Sequence, residues 1–466
     1  MIKPELPVLA STLERLDTLE RDPRLSAKEL ERALTLDPAL AIAVLHRAMH
    51  IRHRHIDSPI TTLLQAAMML GISPIISLAR ELPNAEQTIR EPYLRLYKTA
   101  LARAVLSGRF GLFIAQQRLE LEPGEIALSA LLAPLGELAL WKVAAADMFE
   151  LERLRRQAGV HPQQATHIVF GTDIGDLGHT LAESWGLPEL LQTTLDLHQA
   201  LTPRQTAPIL ASRLAWHALG DWQTARAETD LRACARHLDL DLNALTQHID
   251  DIVGDFETET AAIYDLPTLQ VLSGTQIREI PPPPPPLVCT APDHDWVTLG
   301  QRRISRAHTA RDIIQALTET LYNGLGMDRV IFARYSHDED GARLETETLL
   351  GTDYEYGFHN IRLPLGDAQL FSHLIKKPAA VWLRGPDDAK LSKLVPSAVT
   401  ELTGTDRFFC LSLFAGTEPI GIIYADRRHA DCALTEAQFA SFKRLGALAV
   451  KRLNALTDGN LQEKRG

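Results

Sequence analysis

The chain is short of cysteine, of net positive charge and of catalytic signatures. Its four cysteines, Cys234, Cys289, Cys410 and Cys432, are scattered through 466 residues with no C-x-x-C pair. That spacing argues against a disulfide framework and against a zinc site, and it suits a reducing cytoplasm. Lys and Arg number 48 against 59 Asp and Glu, a net charge of −11. Such a balance disfavours a non-specific grip on nucleic acid or on an anionic membrane, because phosphates reward excess cations. No run of about 18 apolar residues is apparent, so no membrane span is expected. The first residues lack the basic-then-apolar pattern of a signal peptide. There is no P-loop and no G-x-S-x-G elbow. Gly171 to Gly178 has glycines at other spacings, follows no strand and reads as a helix entry.

What is present is ordinary globular material, 45% hydrophobic and 23% charged, in a chain too long for one core. Pro281 to Pro286 is an unbroken proline run, which favours an extended, stiff spacer. The reading is therefore a helical domain over 1–274, a linker over 275–296 and a second domain over 297–460. Before the linker, apolar spacing predicts helices over 60–80, 92–118, 125–157, 172–184, 187–199, 206–219, 228–237 and 242–253. Ser26 to Glu29 is a capping box, and Pro38 suits the first turn of a helix. No strand is expected in the first 250 residues. After the linker the pattern turns to mixed α and β. A helix is expected over 306–325. Strands are expected at 329–335, 344–350, 408–414 and 420–426, with an irregular segment over 351–405 and a closing helix opened by the capping box Thr435 to Gln438.

Five stretches, in order, resemble the HDOD family, the HD-related output domain of bacterial signalling proteins. They are Pro4-Glu-Leu-Pro7, Asp37-Pro38-Ala-Leu40, Pro59-Ile-Thr-Thr-Leu-Leu-Gln-Ala-Ala67, Met69-Leu-Gly71 and Glu183-Ser-Trp-Gly-Leu-Pro188. The resemblance covers about 5–220. In HD-type phosphohydrolases the helix at 128–140 reads apolar-apolar-His-Asp-Ile-Gly-Lys-Leu. Here Leu131, Leu132 and Gly136 keep their places, while Ala133 and Pro134 replace the His and the Asp. Neither can bind a metal, and a hydrolase that activates water on a metal needs nitrogen or oxygen ligands there. Lys98-Thr99 and Ile174 stand where the family often has further histidines. The resemblance therefore implies a vestigial HD site at Lys98, Thr99, Ala133, Pro134 and Ile174, with no cofactor and no catalysis.

The C-terminal part resembles a GAF domain. The strand ending Gly421-Ile-Ile-Tyr-Ala-Asp426, followed by Leu434-Thr-Glu-Ala-Gln-Phe439, is similar to that family's closing strand and helix. The resemblance implies an α+β sheet domain that senses a small molecule or dimerises. Phe332, Tyr354, Arg362, Trp382, Phe409 and Tyr424 are the candidate pocket residues, since aromatics and an arginine can stack on a ring and hold an anion. Aromatics at strand spacing also simply build cores.

His46, Arg47, His50, Arg52, His53 and Arg54 form a basic cluster at a helix end. His46 and His50 are four apart, a spacing that suits a metal, but no H-E-x-x-H acid lies between them. A patch for an acidic partner is the better reading, and helix C-termini favour cations. The fold expected is thus multidomain: an all-α HDOD domain followed by an α+β GAF-like domain. The function expected is intracellular signal transduction by binding, with a protein partner for the helical domain. Two other classes compete: a metal-dependent phosphohydrolase of nucleotides or cyclic dinucleotides, and a nucleic-acid-binding regulator working through 46–55.

Overall fold

The computed structural model describes residues 4–22, 24–50, 59–156, 162–196, 202–266, 269, 272, 289–338, 341–352, 356–359, 361–366, 369–428 and 432–463. The chain divides into two compact units, the first ending at Pro283 and the second starting at Pro284. The proline run itself lies outside the described residues.

The first unit holds sixteen α-helices among the described residues and no named strand. Its axis is the helix Tyr93–Gln117, whose Tyr97, Leu101, Val105, Phe110 and Ile114 are buried. The helices Pro123–Leu132, Pro203–Ala218 and Leu242–Tyr264 pack around it. The approach is close because Gly111 has no side chain. A Cβ there would lie 2.6 Å from the Cβ of Ala130. One turn away, the Ser107 hydroxyl donates to the Ala130 carbonyl at 2.8 Å.

Asp37 explains the Asp-Pro-Ala-Leu step. Its buried carboxylate accepts from the amides of Ala39 and Leu40, capping the helix Pro38–Met49. It also accepts from the Leu9 amide at 3.0 Å and the Thr12 hydroxyl at 2.7 Å. Burial pushes this carboxyl up, and the four donors oppose that shift. The Tyr97 hydroxyl donates to the Pro7 carbonyl at 2.7 Å, closing the N-terminal segment over the core.

Several helical expectations need correction. The span 125–157 is three helices, Pro123–Leu132, Leu135–Val143 and Ala145–Arg155, because Pro134 cannot continue the first. Gly71 divides 60–80 into Leu63–Leu70 and Ile72–Glu81. The helix expected at 242–253 runs to Tyr264, since Phe256, Thr260 and Ile263 extend its buried stripe. The stretch Pro123–Val143 is, after all, apolar and long enough to cross a membrane by length and composition. Its break at Ala133–Pro134 and its packing against other helices mark a core element of the helical unit.

The second unit is a six-stranded antiparallel sheet in the order β3-β2-β1-β6-β5-β4. The strands are β1 Arg329–Asp338, β2 Gly341–Leu350, β3 Arg362–Pro364, β4 Ala380–Arg384, β5 Arg407–Ala415 and β6 Glu418–Asp426. Alternation sends Phe332, Phe409, Leu411 and Ile423 to one face, under helices His294–Arg306, Ala310–Glu319 and Glu436–Glu463. Ile331, Phe408, Cys410 and Tyr424 go to the other, under Leu370–Lys376 and Ser397–Thr403.

The sequence reading differs here in four places. The segment 351–405, expected to be irregular, contains β3, β4, three short α-helices and two 3-10 turns among its described residues. The helix expected over 306–325 starts at Ala310, opened by the capping box of Thr309 and Asp312, and closes in a π-helical turn Thr320–Gly324, while the preceding helix His294–Arg306 is separate. The linker ends earlier than 296, because the Asp293 carboxylate caps a helix beginning at His294. Finally, Cys289 and Cys432 form a disulfide, against the expectation of unpaired cysteines. Their separation of 143 residues hid the pairing.

Candidate functional site

Ala133 and Pro134 form the break between two core helices. The Ala133 amide donates to Ala130 at 3.3 Å, and the Pro134 carbonyl accepts from the Leu138 amide at 3.0 Å. Gly136 lies against the helix Ile174–Ser184. A Cβ on it would meet the Ile174 carbonyl at 2.5 Å. Ile174 is therefore brought to the Ala133–Pro134 break, as an apolar neighbour. The other two expected residues are engaged elsewhere. Lys98 pairs with Glu86 at 3.0 Å, and the Thr99 hydroxyl donates to the Arg95 carbonyl. Burial alone would raise the Glu86 carboxyl, but Lys98 and the Ala10 amide hold it below its usual range.

The residue missed from the sequence is Glu137. It stands where the HD-type helix carries Lys, so the sign of the charge is reversed. That reversal was the available signal. The Glu137 carboxylate lies 2.5 Å from Arg155 and 3.3 Å from Arg103. Glu152 joins both arginines, at 3.3 Å from Arg155 and 3.8 Å from Arg103. The Arg103 guanidinium stacks over the Trp216 ring at 5.3 Å. Burial opposes ionisation of Glu137, yet Arg155, Arg103 and Arg213 hold its carboxyl below the usual range. Four helices thus meet in a buried ionic network next to Ala133 and Pro134. Its carboxylates are committed to guanidinium groups. Among the described residues, no three His, Cys, Asp or Glu side chains converge as a metal site.

In the sheet unit the expected pocket residues separate. Phe332, Phe409 and Trp382 pack on the face covered by the long helices, with Trp382 5.5 Å from Phe409 and 5.7 Å from Phe439. Tyr424 is on the opposite face, 4.9 Å from Phe408. Arg362 is exposed on β3 and faces Glu345 at 3.5 Å. Tyr354 lies outside the described residues. The five described residues do not line one cavity, because the two-residue period of a strand places neighbours on opposite faces.

On the Tyr424 face the polar centre is a buried ion pair. Arg329 donates to Asp426 at 2.9 and 2.8 Å and to the Thr403 carbonyl at 2.6 Å. The Tyr424 hydroxyl donates to Asp426 at 2.5 Å, and the Arg329 guanidinium lies over Phe358 at 5.1 Å. Burial and the Asp426 charge push the Tyr424 phenol well up. Phe358, Phe371, Leu374 and Val395 fill the surrounding face.

The basic cluster is seen only in part. His46 and His50 are in ring contact at 4.2 Å, and His50 Nδ1 lies 2.8 Å from the His46 carbonyl. Burial, with the His50 and Arg47 charges beside it, lowers the His46 imidazole. Arg52, His53 and Arg54 lie outside the described residues.

Residues 6–201 match the family model of the HDOD domain. No curated protein matches the chain. Among solved structures, the MmoQ response regulator of Methylococcus capsulatus is 24% identical over 52% of this chain and 97% of that one, with a TM-score of 0.40. An HDOD domain protein of unknown function from Geobacter sulfurreducens is 20% identical over 55% and 93%, with a TM-score of 0.33. The GAF domain of an Acinetobacter phosphoenolpyruvate-protein phosphotransferase is 14% identical over 35% and 93%, with a TM-score of 0.27.

Proposed function

We propose that this chain is a non-catalytic signal-transduction protein, with the HDOD region as a protein-binding output module and a GAF-like sheet unit as a sensor or dimerisation module. One observation carries the reading. The positions where HD-type helices hold their His and Asp are Ala133 and Pro134, and the neighbouring acid, Glu137, is neutralised by Arg155 and Arg103. A carboxylate paired with buried guanidinium groups is a poor general base and a poor metal ligand, because either role would require breaking charge-assisted hydrogen bonds. Helices held by such a network present fixed outer surfaces, as a binding module requires. The sheet unit's helix-covered faces support the GAF-like reading, and the filled Tyr424 face favours dimerisation over ligand sensing. The intracellular setting rests on the sequence pattern alone.

The test is restoration. Ala133→His with Pro134→Asp supplies the missing pair. The binding reading expects no phosphodiesterase or phosphatase activity in either protein with Mn2+, Fe2+ or Zn2+ added. Metal-dependent hydrolysis of a cyclic dinucleotide by the unaltered chain would establish the enzyme reading instead.

A further inference from the structure

The disulfide between Cys289 and Cys432 joins the two ends of the sheet unit. Cys289 precedes the first helix of that unit, and Cys432 lies between β6 and the last helix. Their Cα atoms are 5.5 Å apart. Three further contacts pin the same stretch. Arg427 donates to the Thr290 carbonyl at 2.6 Å. The Asp293 amide donates to the Gly324 carbonyl at 2.8 Å. Gly326, at φ +66°, lies so near the Thr290 carbonyl that a Cβ would approach it to 2.8 Å. Cys289 stands three residues after Pro286 in the sequence.

The four cysteines fall into two kinds. Cys234 and Cys410 are free and buried, and burial pushes the Cys234 thiol up to about 12. Neither is suited to exchange, because the thiolate is the reactive form. Cys289 is half-buried, so a thiolate can reach that end of the bond. The Arg427 guanidinium reaches the neighbouring residue, and its own Nε is buried without a hydrogen-bond partner.

We propose that Cys289 and Cys432 form a reversible latch, opened and closed by a low-molecular-weight thiol–disulfide couple, that pins or frees the point where the connector enters the sheet unit. Closing proceeds by exchange. The Cys289 thiolate attacks a small disulfide RSSR, forming a mixed disulfide and releasing RS−. The Cys432 thiolate then attacks the Cys289 sulfur, forming the protein disulfide and releasing the second RS−. Two protein thiols are oxidised, one RSSR is reduced to two RSH, and the protons lost by the cysteines end on the released thiols. Opening is the reverse.

The experiment uses the full chain in glutathione buffers, with native-state alkylation by N-ethylmaleimide and peptide mass spectrometry. In oxidised glutathione neither Cys289 nor Cys432 should be labelled. In reduced glutathione Cys289 should be labelled, and re-oxidation should restore protection, while the buried Cys234 and Cys410 stay unlabelled throughout. On reduction the Asp293 amide should exchange hydrogen roughly tenfold faster. The melting midpoint of the sheet unit should fall by about 10 °C. The Cys289→Ser, Cys432→Ser double variant should match the reduced protein in both buffers. Labelling of Cys289 in oxidised glutathione would overturn the latch. So would a bond that resists reduced glutathione in the folded protein, or an Asp293 amide indifferent to reduction.

Discussion

At the scale of single residues, the proposed reading turns on Ala133, Pro134 and Glu137. Ala133 and Pro134 are obvious in the sequence as losses. Glu137 is not, because a lone acid in an apolar helix reads as a solvated residue until Arg103 and Arg155, from two other helices, are seen to enclose it. Truncating one member of such a network leaves the others buried and unpaired, so Glu137→Gln should destabilise the helical unit by roughly 3–5 kcal/mol in urea unfolding followed by circular dichroism. The pH dependence has a definite sign. The folded Glu137 carboxyl is lowered, so its contribution is complete above the ordinary glutamate range and is lost as pH falls through the lowered folded value. The acid limb of the stability curve should flatten in Glu137→Gln. An unchanged stability at pH 7 would mean the network is incidental. His237 acts in a higher window. Burial, with Arg118 beside it, lowers its imidazole from 6.5 to about 4. The unfolded chain then takes up a proton first, so stability declines as pH falls through 6.5 and levels off below about 4. Across that window the loss should reach about 3 kcal/mol. His237→Gln should remove this decline, and a decline that persists would place it on another group.

At the scale of elements, periodicity and caps were legible and breaks were less so. The strands β1, β2, β5 and β6 and the helix Tyr93–Gln117 follow directly from their apolar patterns. The edge strands β3 and β4 do not, because three and five residues are too short to show an alternation. The same alternation that marks a strand decided the fate of the expected pocket. Phe408 and Phe409 are adjacent in sequence, and the sheet separates them. The helix packing carries its own prediction. Gly111→Ala puts a methyl group 2.6 Å from the Cβ of Ala130. It should cost about 1–3 kcal/mol in urea unfolding, through displacement of the helix Pro123–Leu132. A neutral or stabilising result would show that this contact can relax.

At the scale of the whole molecule, the change from helical to mixed patterning led to an expected linker over 275–296, and the two compact units part between Pro283 and Pro284. The disulfide was not legible, since nothing in local sequence relates residues 289 and 432. Each unit has its own core, so calorimetry should resolve two transitions, and one cooperative transition would show that the cores are coupled. The proposed non-catalytic function requires that the helical unit hold no metal. The most direct measurement is the metal content of the full chain after incubation with Mn2+, Fe2+ and Zn2+ and gel filtration, read by plasma mass spectrometry. Since Ala133 and Pro134 offer a methyl group and a proline ring, and Glu137 is held by guanidinium groups, a trace well below one equivalent per chain is expected. A full equivalent of one metal, retained by the unaltered chain and lost in Glu137→Gln, would contradict it.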